Sequence, residues 1–249
     1  MGFKESRAGQ AIRVVRSQKT LLSGLKRLWF VTREVWLYDW ARPRVKTGFQ
    51  STTESFPADY MWYSPTETSV CKEILNFTKD WIRSYFEYSS RDAFPVFVDF
   101  GAGAGKTNLI ALELGFPLSI AFELDEDLVD LADKNFIALN KLKQGIGIGL
   151  TLRGDATSLD DIKKVRTLIE SSIPSGKQTI LIAYNKNSYG PDALRNSLSA
   201  IDEVFGEYVY LYQNPVHLRI LLEKGLNVHR HIQDPGLRKN RDWLIATRD

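Results

Sequence analysis

Beyond Pro95 the chain alternates short apolar runs with stretches whose apolar residues recur every three or four positions. The runs are Val96 to Phe100, Leu118 to Phe122, Ile148 to Leu152, Thr179 to Tyr184 and Tyr208 to Tyr212. Between them, Glu126 to Asn140 places Leu128, Leu131, Ala132, Phe136 and Leu139 on one helical face, and Pro191 to Phe205 does the same with Leu194, Leu198, Ile201 and Phe205. Strand and helix in alternation predict an α/β, doubly wound, mostly parallel sheet with helices on both faces. Two later apolar stretches, Leu226 to Ile232 and Trp243 to Thr247, flank the turn residues Asp234-Pro235-Gly236. They predict a C-terminal antiparallel hairpin, which brings the sheet to seven strands.

Upstream the pattern is helical. From Lys19 to Ala41, Leu21, Leu25, Leu28, Thr32 and Val35 recur at helix spacing, flanked by Leu22, Trp29 and Trp36, and Arg42-Pro43 ends the run. Gly48 to Asp59 reads as an irregular connection. Ser64-Pro65-Thr66-Glu67 has the form of a capping box with proline at the first helical position, continued by Val70, Ile74, Phe77, Trp81 and Tyr85. This divides the chain into a helical arm with its connection, residues 1–59, and a domain, residues 60–249.

Composition narrows the class without changing the fold. With 43% hydrophobic and 25% charged residues the chain is an ordinary globular one, which excludes a disordered or collagenous protein. Its apolar runs fall short of the roughly 18 to 20 residues that span a bilayer, and the N-terminus lacks a secretory pattern, so a soluble, cytoplasmic protein is expected. One cysteine, Cys71, and three histidines give no basis for a disulfide or a structural metal site, and no metal is expected. Cys71 reads as a small residue near a helix start. His229 and His231 alternate along a strand and are expected to share a face, as surface residues.

The charge is uneven. The first 48 residues hold 11 Lys/Arg against 3 Asp/Glu, a balance of +8, and the remainder holds 22 against 27, a balance of −5. Trp29, Phe30, Trp36, Tyr38 and Trp40 gather in the same arm. An anionic partner, nucleic acid or a membrane surface, is one reading of it; an amphipathic helix packed on the domain is the other. Met1-Gly2-Phe3-Lys4-Glu5-Ser6 also fits the loose myristoylation pattern.

The chemistry concentrates at Val96-Phe97-Val98-Asp99-Phe100-Gly101-Ala102-Gly103-Ala104-Gly105, a buried strand that ends in a carboxylate and a glycine-rich turn opening a helix. A P-loop needs glycine or alanine five residues before Gly105-Lys106-Thr107, where Phe100 stands. A dinucleotide fingerprint needs a third glycine three residues after Gly103, where Lys106 stands. Both fail on spacing.

Asp-x-Gly-x-Gly-x-Gly resembles the first motif of the class I S-adenosylmethionine-dependent methyltransferases, and the resemblance covers Tyr60 to Asp249. It implies that Gly101, Gly103 and Gly105 form the cofactor loop, the first two letting the backbone approach the methionine moiety, and that Asp99 accepts from the cofactor's amino group. It implies further that Glu123, at the end of the next strand, accepts the ribose hydroxyls, and that Asp155 and Ala156, after the third, meet the adenine. The cofactor implied is S-adenosyl-L-methionine.

Tyr184-Asn185-Lys186-Asn187-Ser188-Tyr189 follows the fourth strand, where this family holds the methyl acceptor. It is similar to an Asn-Pro-Pro-Tyr signature with both prolines missing, which makes Asn185 and Tyr184 the candidate catalytic residues. His217, after the fifth strand, is the candidate base for an oxygen acceptor or else a helix-start residue. Two function classes follow. The first is a methyltransferase acting on an unidentified acceptor, with an amine of a protein or small molecule favoured; the second is a non-catalytic protein of the same fold working through its basic arm.

Overall fold

The computed structural model describes residues 22, 24, 25, 29, 38–42, 45–47, 66–86, 93–143, 145–186, 189–213, 215–232 and 242–248. The expected Ser64-Pro65 cap, the Asp234-Pro235-Gly236 turn, the Met1-Gly2 start and much of the arm helix lie outside the described residues.

Seven strands among the described residues form one sheet: β1 (Ala93–Phe100), β2 (Leu118–Glu123), β3 (Ile148–Arg153), β4 (Gln178–Asn185), β5 (Tyr208–Gln213), β6 (Asn227–Ile232) and β7 (Trp243–Arg248). Their order is β3-β2-β1-β4-β5-β7-β6. The first five are parallel, and β7 runs antiparallel to both β5 and β6, between which it lies. The expected mixed sheet with a terminal antiparallel pair is therefore what the chain forms. Strand order reverses between β1 and β4, which opens a crevice at their carboxyl ends.

Helices α1 (Thr68–Tyr85), α2 (Lys106–Glu113) and α3 (Glu126–Leu142) cover one face, where they bury Phe97, Ile182, Val209 and Ile245. Helices α4 (Leu159–Ser172), α5 (Pro191–Phe205) and α6 (Leu218–Glu223) cover the other, over Val96, Val98, Ile120, Ala183 and Leu244. Both faces of the central strands are thus dry, which is why these runs are continuously apolar rather than alternating. Pro95 lies inside β1, which begins at Ala93, three residues before the expected run. It is tolerated because β2 pairs with β1 only from Val96 onward, so Pro95 meets β4 alone, as on an edge strand.

Two expectations are corrected. The capping box places the first helical residue at Pro65, whereas α1 begins at Thr68, with Glu67 extended and without a side-chain cap. The Thr66 carbonyl instead accepts the Lys106 ammonium at 2.7 Å, which ties that residue to α2. His229 and His231 do not share a face. The β6–β7 register shifts between Val228 and Arg230, a bulge at His229. His229 and Arg230 both turn toward α1, His229 against Trp81 and Tyr85 and Arg230 over the Phe77 ring, while His231 stands opposite Leu244 of the other core.

The end of the arm is packed on the domain. Tyr38, Val45 and Thr47 are buried, and Asp39 accepts from the Thr47 N–H and hydroxyl. The Asn135 amide of α3 both accepts from the Lys46 N–H at 2.8 Å and donates to the Lys46 carbonyl at 2.9 Å, as a strand neighbour would. Arg42 grips Glu113 of α2 through two bonds of 2.7 Å, and Lys143 joins at 3.0 Å. Burial pushes the Glu113 carboxyl up, but these cationic partners outweigh it and hold it below the usual carboxylate range.

Deletion of residues 1–48 is accordingly expected to lower the thermal midpoint, and unchanged melting would contradict a packed arm. Glu113→Gln should cost about 1–3 kcal/mol at neutral pH by weakening charge-assisted bonds. The carboxyl is depressed in the folded state, so its contribution is present above the unfolded value of about 4.3 and is lost as pH falls through the folded one. Denaturant titrations at neutral and acid pH should show the variant and the parent converging in acid.

Candidate active site

The carboxyl edge is organised around the turn after β1. Gly101, Gly103 and Gly105 all have positive φ, at 93°, 56° and 74°, a conformation that other residues adopt at a cost. The Phe122 carbonyl accepts the Gly101 and Ala102 N–H groups, so the loop begins by leaning on β2. Gly105 has a second constraint, because a Cβ there would stand 3.2 Å from the Ala132 Cβ. This third glycine is where α2 packs against α3.

Glu123 closes the loop from the other side. Its Oε2 accepts the Gly103 N–H at 2.7 Å, and its Oε1 accepts those of Leu124 at 2.8 Å and Asp125 at 3.1 Å. Burial raises the carboxyl, and the three backbone donors pull it back without cancelling the rise. Two N–H groups occupy both lone-pair directions of Oε1, while Oε2 takes one and keeps capacity for a further donor. A buried acceptor of this kind, beside a loop of bare backbone, suits a hydroxyl-bearing ligand.

Asp99 lies on the α1 face of β1, in register with Tyr184 of β4. It is buried, and burial together with the Glu123 charge pushes its carboxyl well above the usual range, against the pull of the Thr107 hydroxyl and the Lys186 ammonium. Tyr184 is also fully buried; its hydroxyl donates to the Gln213 Oε1 and meets the Thr66 and Thr107 hydroxyls. Thr107 in turn lies 3.7 Å from the Cys71 Sγ, whose thiol burial pushes up to about 11. Asp99, Thr107, Tyr184 and Gln213 form one polar seam beneath the crevice, roofed by the start of α1.

The remaining predicted residues are distributed along the same edge. Asp155 Oδ1 accepts from the Thr157 N–H and hydroxyl, both at 2.8 Å, in a turn that leads into α4, and Ala156 is buried in the α4 core. Asn185 is buried and its Nδ2 donates to the Phe100 carbonyl at 2.9 Å, joining the end of β4 to that of β1. Asn185 and Tyr184, as strand neighbours, project to opposite faces. His217 precedes α6 without a side-chain cap bond, and its N–H contacts Tyr212. The structure thus gathers Asp99, Glu123 and the glycines closely, and holds Asp155 and His217 at the rim.

Lys106, Thr107, Lys186 and Gln213 belong to the site although the sequence did not single them out. Lys106 and Lys186 each adjoin a motif residue in the chain, Gly105 and Asn185, which was the one available signal; Thr107 and Gln213 had none. Lys106 also disposes of the P-loop a second time. Its ammonium is buried, donates to the Thr66 carbonyl and stands 5.2 Å over the Tyr38 ring, so it is committed to the protein. Among the described residues no group of three or more His, Cys, Asp or Glu is placed to hold a metal ion.

No protein-family model matches the sequence, and no curated protein does. Solved structures match by fold. The rRNA methyltransferase AviRa of Streptomyces viridochromogenes aligns over 78% of this chain and 88% of its own, at 12% identity and a TM-score of 0.53. The magnesium protoporphyrin IX methyltransferase of Synechocystis, solved with bound S-adenosylmethionine, aligns over 73% and 81%, at 13% identity and a TM-score of 0.47. The chain has the Rossmann-like α/β fold of the class I methyltransferases.

Asp99→Asn tests the electrostatics of the seam. An acid raised in the native state binds its proton more readily there than in the unfolded chain, so the parent loses stability as pH rises past about 4, the unfolded value. The variant removes that loss. It should melt higher than the parent at neutral pH without ligand, and the gain should vanish in acid; scanning calorimetry at both pH values checks it.

Proposed function

We propose that this protein is a methyltransferase that uses S-adenosyl-L-methionine, bound across the carboxyl ends of β1, β2 and β3. The observation that carries this reading is the Glu123 carboxylate, buried beside the positive-φ glycine loop and bonded to the Gly103 N–H. Gly101 and Gly103 present backbone to the ligand's methionine end. Asp99, buried without a salt-bridge partner strong enough to lower its carboxyl, meets the ligand's ammonium, which supplies the missing opposite charge. Oε2 of Glu123 accepts one ribose hydroxyl, and taking both requires the Gly103 N–H to give way. Asp155 and Ala156 stand where the adenine ring would lie. When bound, the cofactor supplies an electrophilic methyl group.

The acceptor in this reading is an amine brought to the end of β4. Asn185 is fixed by its bond to the Phe100 carbonyl, one peptide from the glycine loop, so its carbonyl oxygen is placed to orient an amine N–H. Tyr184 acts through the seam and not on the acceptor, because its hydroxyl is spent on Gln213. His217 serves only an oxygen acceptor, which needs a base.

Titration calorimetry should show binding of S-adenosylmethionine or its demethylated product, with no comparable response to ATP or NAD. Glu123→Ala should weaken it by about 1.5–3 kcal/mol, the range for bonds to a charged group. With a substrate in hand, Asn185→Ala should lower kcat about tenfold, roughly 1.4 kcal/mol of barrier, and leave cofactor affinity within a few-fold. Tight ATP binding without a response to the methyl donor would overturn the assignment.

A further inference from the structure

Glu123 holds the glycine loop at the Gly103 N–H, and a second side chain, to which the proposed function gives no role, holds it at the next residue. Asn135, midway along α3, is fully buried. Its Nδ2 donates to the Ala104 carbonyl, inside the loop, and to the Lys46 carbonyl of the arm, both at 2.9 Å, while its Oδ1 accepts the Lys46 N–H at 2.8 Å. A primary amide has two N–H donors, and here both are used. Its orientation is fixed too, since turning it over would set an oxygen against two carbonyls and a nitrogen against an N–H. Ala132, on the same helix, lies 3.2 Å from where a Cβ on Gly105 would stand, so α3 seats the loop by close packing at Gly105 and by a hydrogen bond at Ala104.

Two of the three bonds that orient this amide come from a segment 89 residues earlier in the chain. That segment is itself braced. Asp39 accepts the Thr47 N–H, and the Arg42 guanidinium lies 3.8 Å over the Tyr38 ring, donates to the Tyr38 carbonyl at 3.0 Å and grips Glu113 of α2. With the arm undocked, Asn135 loses the bonds that fix its angle, and its remaining bond to Ala104 competes with rotation of the amide and with water. Gly103 and Gly105, both at positive φ and without side chains to brace them, flank the peptide that would then be released.

We propose that Asn135 is a positioning residue for the cofactor: docking of the arm's end, Tyr38 to Arg42 and Val45 to Thr47, sets the Asn135 amide, which holds the Ala104 carbonyl and with it the shape of the glycine loop. The inference rests on the reading that this loop binds S-adenosylmethionine. It makes the arm's end part of the cofactor site, acting through α3 and not on the ligand. Coupling of this kind is reciprocal, so a bound cofactor also favours the docked arm.

The test pairs Asn135→Leu, similar in volume and unable to hydrogen-bond, with Arg42→Gln, which loosens the arm from α2 without touching the loop. The demethylated product of the cofactor is titrated into the full-length parent, both single variants and the double variant, below the onset of melting. Asn135→Leu should weaken binding about tenfold, as the loss of one buried hydrogen bond would, and Arg42→Gln about threefold. Because the arm acts through Asn135, the double variant should bind no more weakly than Asn135→Leu alone. The amide nitrogen resonance of Gly105, which shares a peptide with the Ala104 carbonyl, should shift in both single variants before any ligand is added. Arg42→Gln keeps the test decisive if Asn135→Leu does not fold. A parent that binds the product while both variants stay within about twofold of it, a double variant whose losses multiply, or a Gly105 resonance unmoved by Arg42→Gln would each overturn the proposal. A parent that fails to bind the product overturns the methyltransferase reading instead, and the Gly105 resonance then decides the coupling by itself.

Discussion

The site depends on one hydrogen bond between neighbouring strand ends, that from the Gly103 N–H to the Glu123 carboxylate. A glycine loop with three positive-φ residues has little of its own to fix its shape, since glycine contributes no side-chain contacts and the most backbone freedom. The carboxylate supplies the fixed point. It is itself immobilised by the N–H groups of Leu124 and Asp125, so the turn after β2 sets the turn after β1. Because the acceptor is a buried carboxyl group held by three backbone donors, leaving Gly103 without it would strand a donor at the edge of the core.

Around that point the protein tolerates polarity where an α/β core usually excludes it. Asp99, Thr107, Tyr184 and Gln213 run from β1 through α2 to β4 and β5 on the face that α1 covers. Each has a partner, which is the condition under which buried polar groups are sustainable. Asp99 is the poorest fit of the four, since burial and the neighbouring Glu123 push its carboxyl well above the usual range.

How far the sequence revealed this follows from distance along the chain. The strands, most helix faces and the glycine motif were readable because each is written within a dozen contiguous residues whose period or spacing is intact. Asp99, Glu123 and Asp155 were readable as strand-end carboxylates for the same reason. Lys106, pointing away from its own loop to Thr66, was not, nor was the Tyr184–Gln213 bond, which joins residues of two strands. The late start of α1 was hidden by a sequence with every local mark of a cap, overridden by the tie from Lys106. The bulge at His229 was hidden because alternation along one strand carries no record of what its neighbour does. The arm posed a choice between packed and partner-facing that periodicity alone does not make, because it is decided by residues far along the chain: Tyr38 and Val45 are buried at its end, and Arg42 is bonded to Glu113.

The position of β7 gives the fold an order of assembly. It follows β6 in the chain yet lies between β6 and β5, so β6 has no sheet to join until residues 243–248 are in place. As the polypeptide leaves the ribosome, the five parallel strands can pair while the outer side of β5 stays bare, an edge of the kind that recruits other chains. A stop codon between β6 and β7 would thus cost two strands for the loss of one. The six residues of β7 are the keystone of that half of the sheet, and nascent protein lacking them exposes the side chains of Val209 and Leu211 that Ile245 and Thr247 otherwise flank.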